Sequence, residues 1–279
     1  MKKIVLDRED LHRGILILVN EKYKIAWDVP KGLAVIGNTG RPEGLNDETL
    51  KRQANADALT GHPEDVLLER QAGARLEQLM DEIDGWDVIA PVSGWRSRGE
   101  QQSIWDESMR DNGSEYTRTY VALPGHSEHQ TGLAIDLGLR REHIDFICPE
   151  FPDTGVCGQF RERAADYGFV LRYPAGKENI TGIGHEPWHF RYVGVPHARI
   201  MTEQGMTLEE YTDYIRQFDS PVHPCCIRVD GRAVCVSYVP ADRGQTAVWV
   251  NETAPYCISG NNVDGFVLTQ WLGAEQRRQ

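Results

Sequence analysis

Residues 182–194, GIGHEPWHFRYVG, contain His185-Glu186-Pro187-Trp188-His189. The order satisfies H-E-x-x-H, which on a helix brings both imidazoles to one zinc ion and leaves the glutamate as a base. Pro187 argues against that helix. It has no N–H, and its ring clashes with the carbonyl four residues back, at a cost of about 3 kcal/mol in a helix interior. Only a helix starting at this point tolerates it, and His185 would then lie outside. The upstream TGIG offers two glycines and no cap, whereas WHFRYVGV downstream is aromatic and β-branched, which favours a strand. The expected structure is a loop running into a strand, in which His185 and His189 need not share a metal. A lone histidine between Trp188 and Phe190 is more often packed than metal-bound.

A second cluster changes that balance. PGHSEHQTGLAIDLG, residues 124–138, carries His126, His129 and Asp136. A turn at Gly132 followed by a strand brings His129 and Asp136 together, with Ala134, Asp136 and Gly138 on one face and Ile135 and Leu137 on the other. An aspartate in an apolar strand is costly unless a cation or metal pairs with it; a salt bridge at the strand end is the plainer alternative. His129, Asp136 and a third ligand from 185–189 make a three-ligand zinc site with one open position, the arrangement of catalytic rather than structural zinc. The open position holds a water acidified by the metal. Glu186, three residues before His189, can act as general base on it. Arg96 stands after a tight turn in SGWRSRGEQQ and can face a tetrahedral oxyanion, although a surface arginine is the plainer reading of that charged segment.

The elements that must position these groups are partly legible. GILILVNEKYKI (14–25) reads as a strand, and the polar stretch 28–62 as surface wrapping. Residues 62–85 read as a helix: Pro63 in the first turn, Glu64 and Asp65 at its positive end, a stripe of Leu68, Ala72, Leu76, Leu79, Met80 and Ile83, and Gly85 as the stop. Residues 86–97 read as a strand that delivers Trp95 and Arg96, and 99–113 as a helix with Ile104, Trp105, Ser108 and Met109 inward. Residues 132–139 are strand-like, and 159–174 a helix stopped at Gly168 before a strand. Thr207 and Glu210 form a capping box for a helix over 206–219. From about 222 to 272 short strands follow, so 1–205 is expected to be the catalytic domain and 206–279 a linking helix with a small β-rich region.

Composition narrows the function further. The 279 residues carry a net charge of −12 and no basic stretch, which argues against a nucleic-acid partner. No apolar run approaches the ~20 residues of a membrane span, and MKKIVLDREDLHRG lacks the apolar core of a signal peptide. The chain as written is expected to be cytoplasmic, or to belong to the cell envelope if cut from a longer protein. Six irregularly spaced cysteines make no disulfide framework, so reduced thiols are expected, with a thiol metal site at Cys225-Cys226 a remote alternative.

SGWRSRGEQQ, PGHSEHQTGLAIDLG and YGFVLRYPAGKENITGIGHEPWHFRYVG together resemble, in order and spacing, the VanY-type D-alanyl-D-alanine carboxypeptidases. These zinc peptidases share a fold with lysostaphin-like enzymes and the hedgehog signalling domain. The likeness is dense from about 86 to 196; LHRGILILVN also looks like the family's N-terminal strand. The resemblance implies an α+β fold, an antiparallel sheet with outer helices and a zinc cleft, here with a small C-terminal β-rich appendage. It implies Zn2+ held by His129, Asp136 and His189, with Glu186 as catalytic base and Arg96 stabilising the oxyanion. Ser127 and Gln101 fall where the family contacts substrate. His185 and His126 fall at positions the family varies and are not expected to bind metal.

The implied reaction is hydrolysis of the C-terminal D-Ala from peptidoglycan precursors or stem peptides ending in D-Ala-D-Ala, the dipeptide end that vancomycin binds. Such a substrate needs a local cation for its carboxylate, and Arg96, Arg98 and Lys177 are the candidates. An L,D-carboxypeptidase acting on a tetrapeptide stem would carry the same zinc constellation. A D,D-dipeptidase is disfavoured because no cleft-narrowing insertion stands out. A catalytically silent zinc module that binds wall peptides is the reading from outside the enzymes; Glu186 and Arg96, which such a module does not need, argue against it.

Overall fold

The structure, a computed structural model, describes residues 1–27, 30–36, 66–219 and 223–273. Its strands are β1 (Lys2–Leu6), β2 (Leu33–Val35), β3 (Leu67–Glu69), β4 (Ile89–Ser93), β5 (Ala134–Leu139), β6 (Phe169–Tyr173), β7 (Glu186–Tyr192), β8 (Cys225–Val229), β9 (Arg232–Pro240), β10 (Thr246–Val250), β11 (Tyr256–Gly260) and β12 (Gly265–Leu272). The helices among the described residues are α1 (Arg70–Glu82), α2 (Arg98–Asp111), α3 (Gly113–Tyr120), α4 (Gly155–Arg163), α5 (Glu178–Thr181), α6 (Val195–Gln204) and α7 (Leu208–Ile215). None is long and apolar enough to cross a membrane. This is the expected mixture of helices and antiparallel sheet.

The chain forms two units, Val19–Val193 and Met1–Leu18 with Gly194–Gln279. The cut therefore differs from the expected 1–205 and 206–279. The reason is one antiparallel ladder: β1 pairs with β10, Lys2 opposite Val250 through Leu6 opposite Thr246, which ties the first residues to the last part of the chain.

In the Val19–Val193 unit an antiparallel sheet runs in the order β4-β5-β7-β6. Its two faces differ as the alternation in β5 requires. Ile135 and Leu137 are fully buried on one face. Phe190, opposite Ile135 on β7, packs edge-on against Phe160 of α4 and against Phe151, at centroid distances of 4.9 and 5.5 Å. Phe160 and Phe190 are wholly buried, each contributing roughly 2–3 kcal/mol by removal from water. The other face carries Asp136, directly opposite His189.

Helix α1 starts later than the sequence suggests. Glu69 caps it, accepting from Gln71 N and Ala72 N at 2.9 and 3.1 Å, and Leu68 lies on β3 instead of the helix stripe. Ala72, Leu76, Leu79 and Met80 are buried as expected. The expected Pro63, Glu64 and Asp65 start and most of the 28–62 stretch lie outside the described residues. The strand expected over 14–25, including the family-like LHRGILILVN, is not one. Leu16, Ile17, Leu18 and Val19 are buried, but their segment has no ladder: Leu16 N donates to Ser259 Oγ and Leu18 N to Asn261 O.

The second unit holds a four-stranded sheet, β11-β12-β9-β8, and the β1-β10 pair. The capping box at Thr207 is present, and β1 and β11 are strands the sequence reading missed. Cys226 and Cys235 face each other across β8 and β9 and are disulfide-bonded, which corrects the expectation of reduced thiols; Cys148, Cys157, Cys225 and Cys257 are free.

Candidate metal centre

Three sequence-distant ligand groups converge. One ligand atom each from His129, Asp136 and His189 lies within 4.8 Å of the others, all three residues being buried. His129 Nε2 is 3.1 Å from Asp136 Oδ2, and His189 Nδ1 is 3.0 Å from Asp136 Oδ1. Local sequence explains each placement. Glu128–Thr131 is a single 3-10 turn ending at Gly132, whose φ of +72° is left-handed and hostile to a side chain. The chain then enters β5 and brings Asp136 back beneath His129. His129 Nδ1 is 2.7 Å from the carbonyl of Gly94, which leaves Nε2 as the ligand atom. Gly94 is required there, because a Cβ would stand 2.2 Å from Leu67 O.

The H-E-x-x-H match is not helical. Glu186 opens β7, His189 lies within it, and His185 is exposed outside. In a regular strand Glu186 and His189, three apart, point to opposite faces. The pairing with β6 is irregular at this point, so strict alternation does not hold. Leu171 pairs with Phe190 but Tyr173 with Glu186, so two steps along β6 match four along β7. The bulge spans Pro187 and Trp188, where a proline is tolerated because no regular ladder bond is needed. Glu186 Oε2 then reaches 3.4 Å from His189 Nδ1.

Arg96 is buried in the same cleft, carried just ahead of α2, whose start is fixed by the Ser97–Glu100 capping box. Its guanidinium donates to Ser93 Oγ at 2.7 Å, to Asp136 Oδ2 at 2.9 Å and to Gln101 Oε1 at 3.5 Å. Gln101 also donates to Ala122 O at 2.8 Å, so both ends of its amide have protein partners. Ser127 lines the cleft, and among the described residues its hydroxyl has no hydrogen-bond partner. Arg98 and Lys177 are not among the lining residues, and neither is His126.

One group was missed by sequence reasoning. Glu128, fully buried between His129 and the sheet, meets Arg172 Nε at 2.9 Å and Arg191 Nη1 at 2.7 Å, with Oε2 at 3.8 Å from His189 Nε2. Its signal was present: arginines in FVLRY and EPWHFRY at positions that alternation turns toward the site face. Burial alone would raise its carboxyl, but the two arginines hold it well below the usual range.

The electrostatics fit a cation. Burial pushes Glu186 up to about 8. Burial and then Arg96 push His129 down to about 4. Burial lowers His189, but Asp136, Glu128 and Glu186 together lift it to about 9. Asp136 Oδ1 is buried without a hydrogen bond despite its nearness to His189. Two imidazoles and a carboxylate with an orphaned oxygen are the donor types of a catalytic zinc site.

A family model for D-alanyl-D-alanine carboxypeptidase, VanY, matches residues 65–195. The chain is 48% identical over 154 residues to a bifunctional D-Ala-D-Ala dipeptidase and D-Ala-D-Ala carboxypeptidase, VanXYC, of Enterococcus gallinarum, which covers 55% of this chain and 81% of that one. It resembles the crystal structure of the vancomycin resistance D,D-dipeptidase VanXYg in complex with a D-Ala-D-Ala phosphinate analogue, with a TM-score of 0.85 at 44% identity over 97% of this chain and 99% of the other. A vancomycin resistance D,D-pentapeptidase VanY in complex with Zn(II) matches at TM-score 0.53 and 30% identity, over 71% of this chain and 98% of that one.

Proposed function

The chain belongs to the VanY family of D-alanyl-D-alanine carboxypeptidases, and from that premise we propose that it binds zinc through His129, Asp136 and His189 and removes the C-terminal D-Ala from peptidoglycan stem peptides or precursors ending in D-Ala-D-Ala. The observation that carries this reading is the convergence of those three ligands beside a buried Glu186 in one cleft with Arg96. Loss of the terminal residue removes the dipeptide that vancomycin binds, so a contribution to glycopeptide resistance is part of the proposal. The peptidase chemistry is assigned to the Val19–Val193 unit.

Zinc held there supplies polarisation of the scissile carbonyl and acidification of the attacking water. Glu186 takes the proton from that water and returns it to the departing amine nitrogen. Arg96 supplies positive charge to the developing oxyanion, held in place by Ser93 and Gln101. The Ser127 hydroxyl is free to contact the substrate backbone, whereas Gln101 acts through Arg96.

A second reading, D,D-dipeptidase activity on free D-Ala-D-Ala, is favoured by the relatives named for it. Their names outweigh the sequence argument against it. The test is release of D-Ala from a D-Ala-D-Ala pentapeptide, from the matching tetrapeptide and from free D-Ala-D-Ala, each with and without chelator. Chelator-sensitive cleavage of the pentapeptide is expected. Cleavage of the tetrapeptide alone would move the assignment to L,D-hydrolysis, and silence of zinc-loaded protein on all three would leave a binding module.

A further inference from the structure

Next to the metal centre, within the same unit, lies a cavity of about 370 Å³ bordered by Glu21, Trp105, Arg118, Leu123 and His126. Val121, Ala122, Tyr173 and Ile183 line both this cavity and the catalytic cleft, so the two are adjoining compartments of one groove. The inner compartment, about 40 Å³, holds the reacting groups. The outer one is far larger and contains none of them.

Its polar groups have an order of their own. Arg118 and Glu21 are exposed, and neither makes an ion pair or side-chain hydrogen bond among the described residues. Glu21 does not sit on a loose loop. Asn20 Oδ1 accepts from Lys22 N and Tyr23 N, both at 3.0 Å, and His126 Nδ1 lies 2.7 Å from Asn20 O. Ile25 N donates to Gly125 O at 2.8 Å, clamping the turn to the loop before Ser127. His126, left without a metal role, thus fixes the backbone beside Glu21. Trp105 and Leu123 add apolar surface to the compartment's lining.

We propose that this outer compartment reads the part of the stem peptide upstream of D-Ala-D-Ala, Glu21 pairing with the side-chain amine of a diamino acid and Arg118 with the free α-carboxylate of a γ-linked D-glutamate. The inference rests on the carboxypeptidase reading and names the substrate features that the same site selects. Both residues are specificity residues; neither touches the reacting atoms. Free D-Ala-D-Ala reaches only the inner compartment and gains nothing from them.

The test compares wild type, Glu21→Gln and Arg118→Ala, all zinc-loaded, on acetyl-D-Ala-D-Ala, Nα-acetyl-L-Lys-D-Ala-D-Ala, the L-Ala-γ-D-Glu-L-Lys-D-Ala-D-Ala pentapeptide, and that pentapeptide with the glutamate α-carboxylate amidated. Glu21→Gln should raise KM about fivefold on the three lysine-bearing substrates, and Arg118→Ala by a similar factor on the acidic pentapeptide only. Neither should alter kcat or the acetyl-D-Ala-D-Ala reaction. Unchanged kinetics in both variants, or equal losses on all four substrates, would overturn the groove assignment while leaving the carboxypeptidase intact. Wild-type silence on all four would overturn both.

Discussion

The division of labour at the centre can be tested one side chain at a time. Glu186→Ala should retain zinc, measured by metal analysis after gel filtration, and lose D-Ala release by a factor of order 10³. His185→Ala should keep metal and activity, because His185 is exposed outside β7; demetallation would restore the helical reading of H-E-x-x-H. Glu128 faces the far nitrogen of His189 while two arginines hold it. Glu128→Gln leaves those buried cations undercompensated, so it should lower stability by about 3–5 kcal/mol and weaken zinc by roughly 10–100-fold. Urea unfolding and chelator competition measure the two effects separately. Asp136 and His189 were legible because polar ligands are conspicuous in apolar strands, and His129 because it stands just before the turn at Gly132. Glu128 was hidden because a glutamate beside a histidine looks like an ordinary surface residue until the sheet buries it.

Elements decide whether those side chains meet. Gly132 ends the turn after His129 with a left-handed backbone, and a Cβ would stand 2.8 Å from Leu33 Cδ2 and 3.1 Å from Glu69 N. Gly132→Ala should therefore cost about 1–3 kcal/mol and weaken zinc binding by shifting His129 relative to Asp136, seen as a lower Tm and a lower chelator midpoint. The sequence disclosed β5, β7 and α7 because alternation, proline and the Thr207–Glu210 capping box each left a local mark. It misled over 14–25, where burial is real but the backbone partners are a hydroxyl and a loop carbonyl far along the chain. It was silent about the bulge in β7: Pro187 excluded a helix, yet only the irregular pairing against β6 reveals that alternation breaks between Glu186 and His189, whose side chains come within 3.4 Å. Long-range pairing leaves no periodicity to read.

At the scale of the molecule, the second unit carries its own pH sensitivity. His197, fully enclosed, has Nδ1 2.6 Å from Tyr211 Oη and Nε2 3.0 Å from Thr269 Oγ1. Burial pushes its pKa down to about 3. The unfolded chain therefore binds a proton that the folded one refuses between that value and about 6.5, so stability is complete above 6.5 and falls as the pH drops. The unfolding free energy of this unit, from urea titrations, should decline from pH 7 to pH 5 by about 1–2 kcal/mol, and His197→Gln should flatten that slope. The pairing of β1 with β10 has another consequence, for the order of events during synthesis. The ribosome releases β1 long before its partner exists, and the whole Val19–Val193 segment is made in between. The inner segment can fold while β1 waits with an open edge, so the second unit closes last. Expressed alone, residues 19–193 should fold cooperatively, whereas a chain stopped after 205 should carry an orphaned strand and aggregate; limited proteolysis of nascent chains would follow that sequence directly.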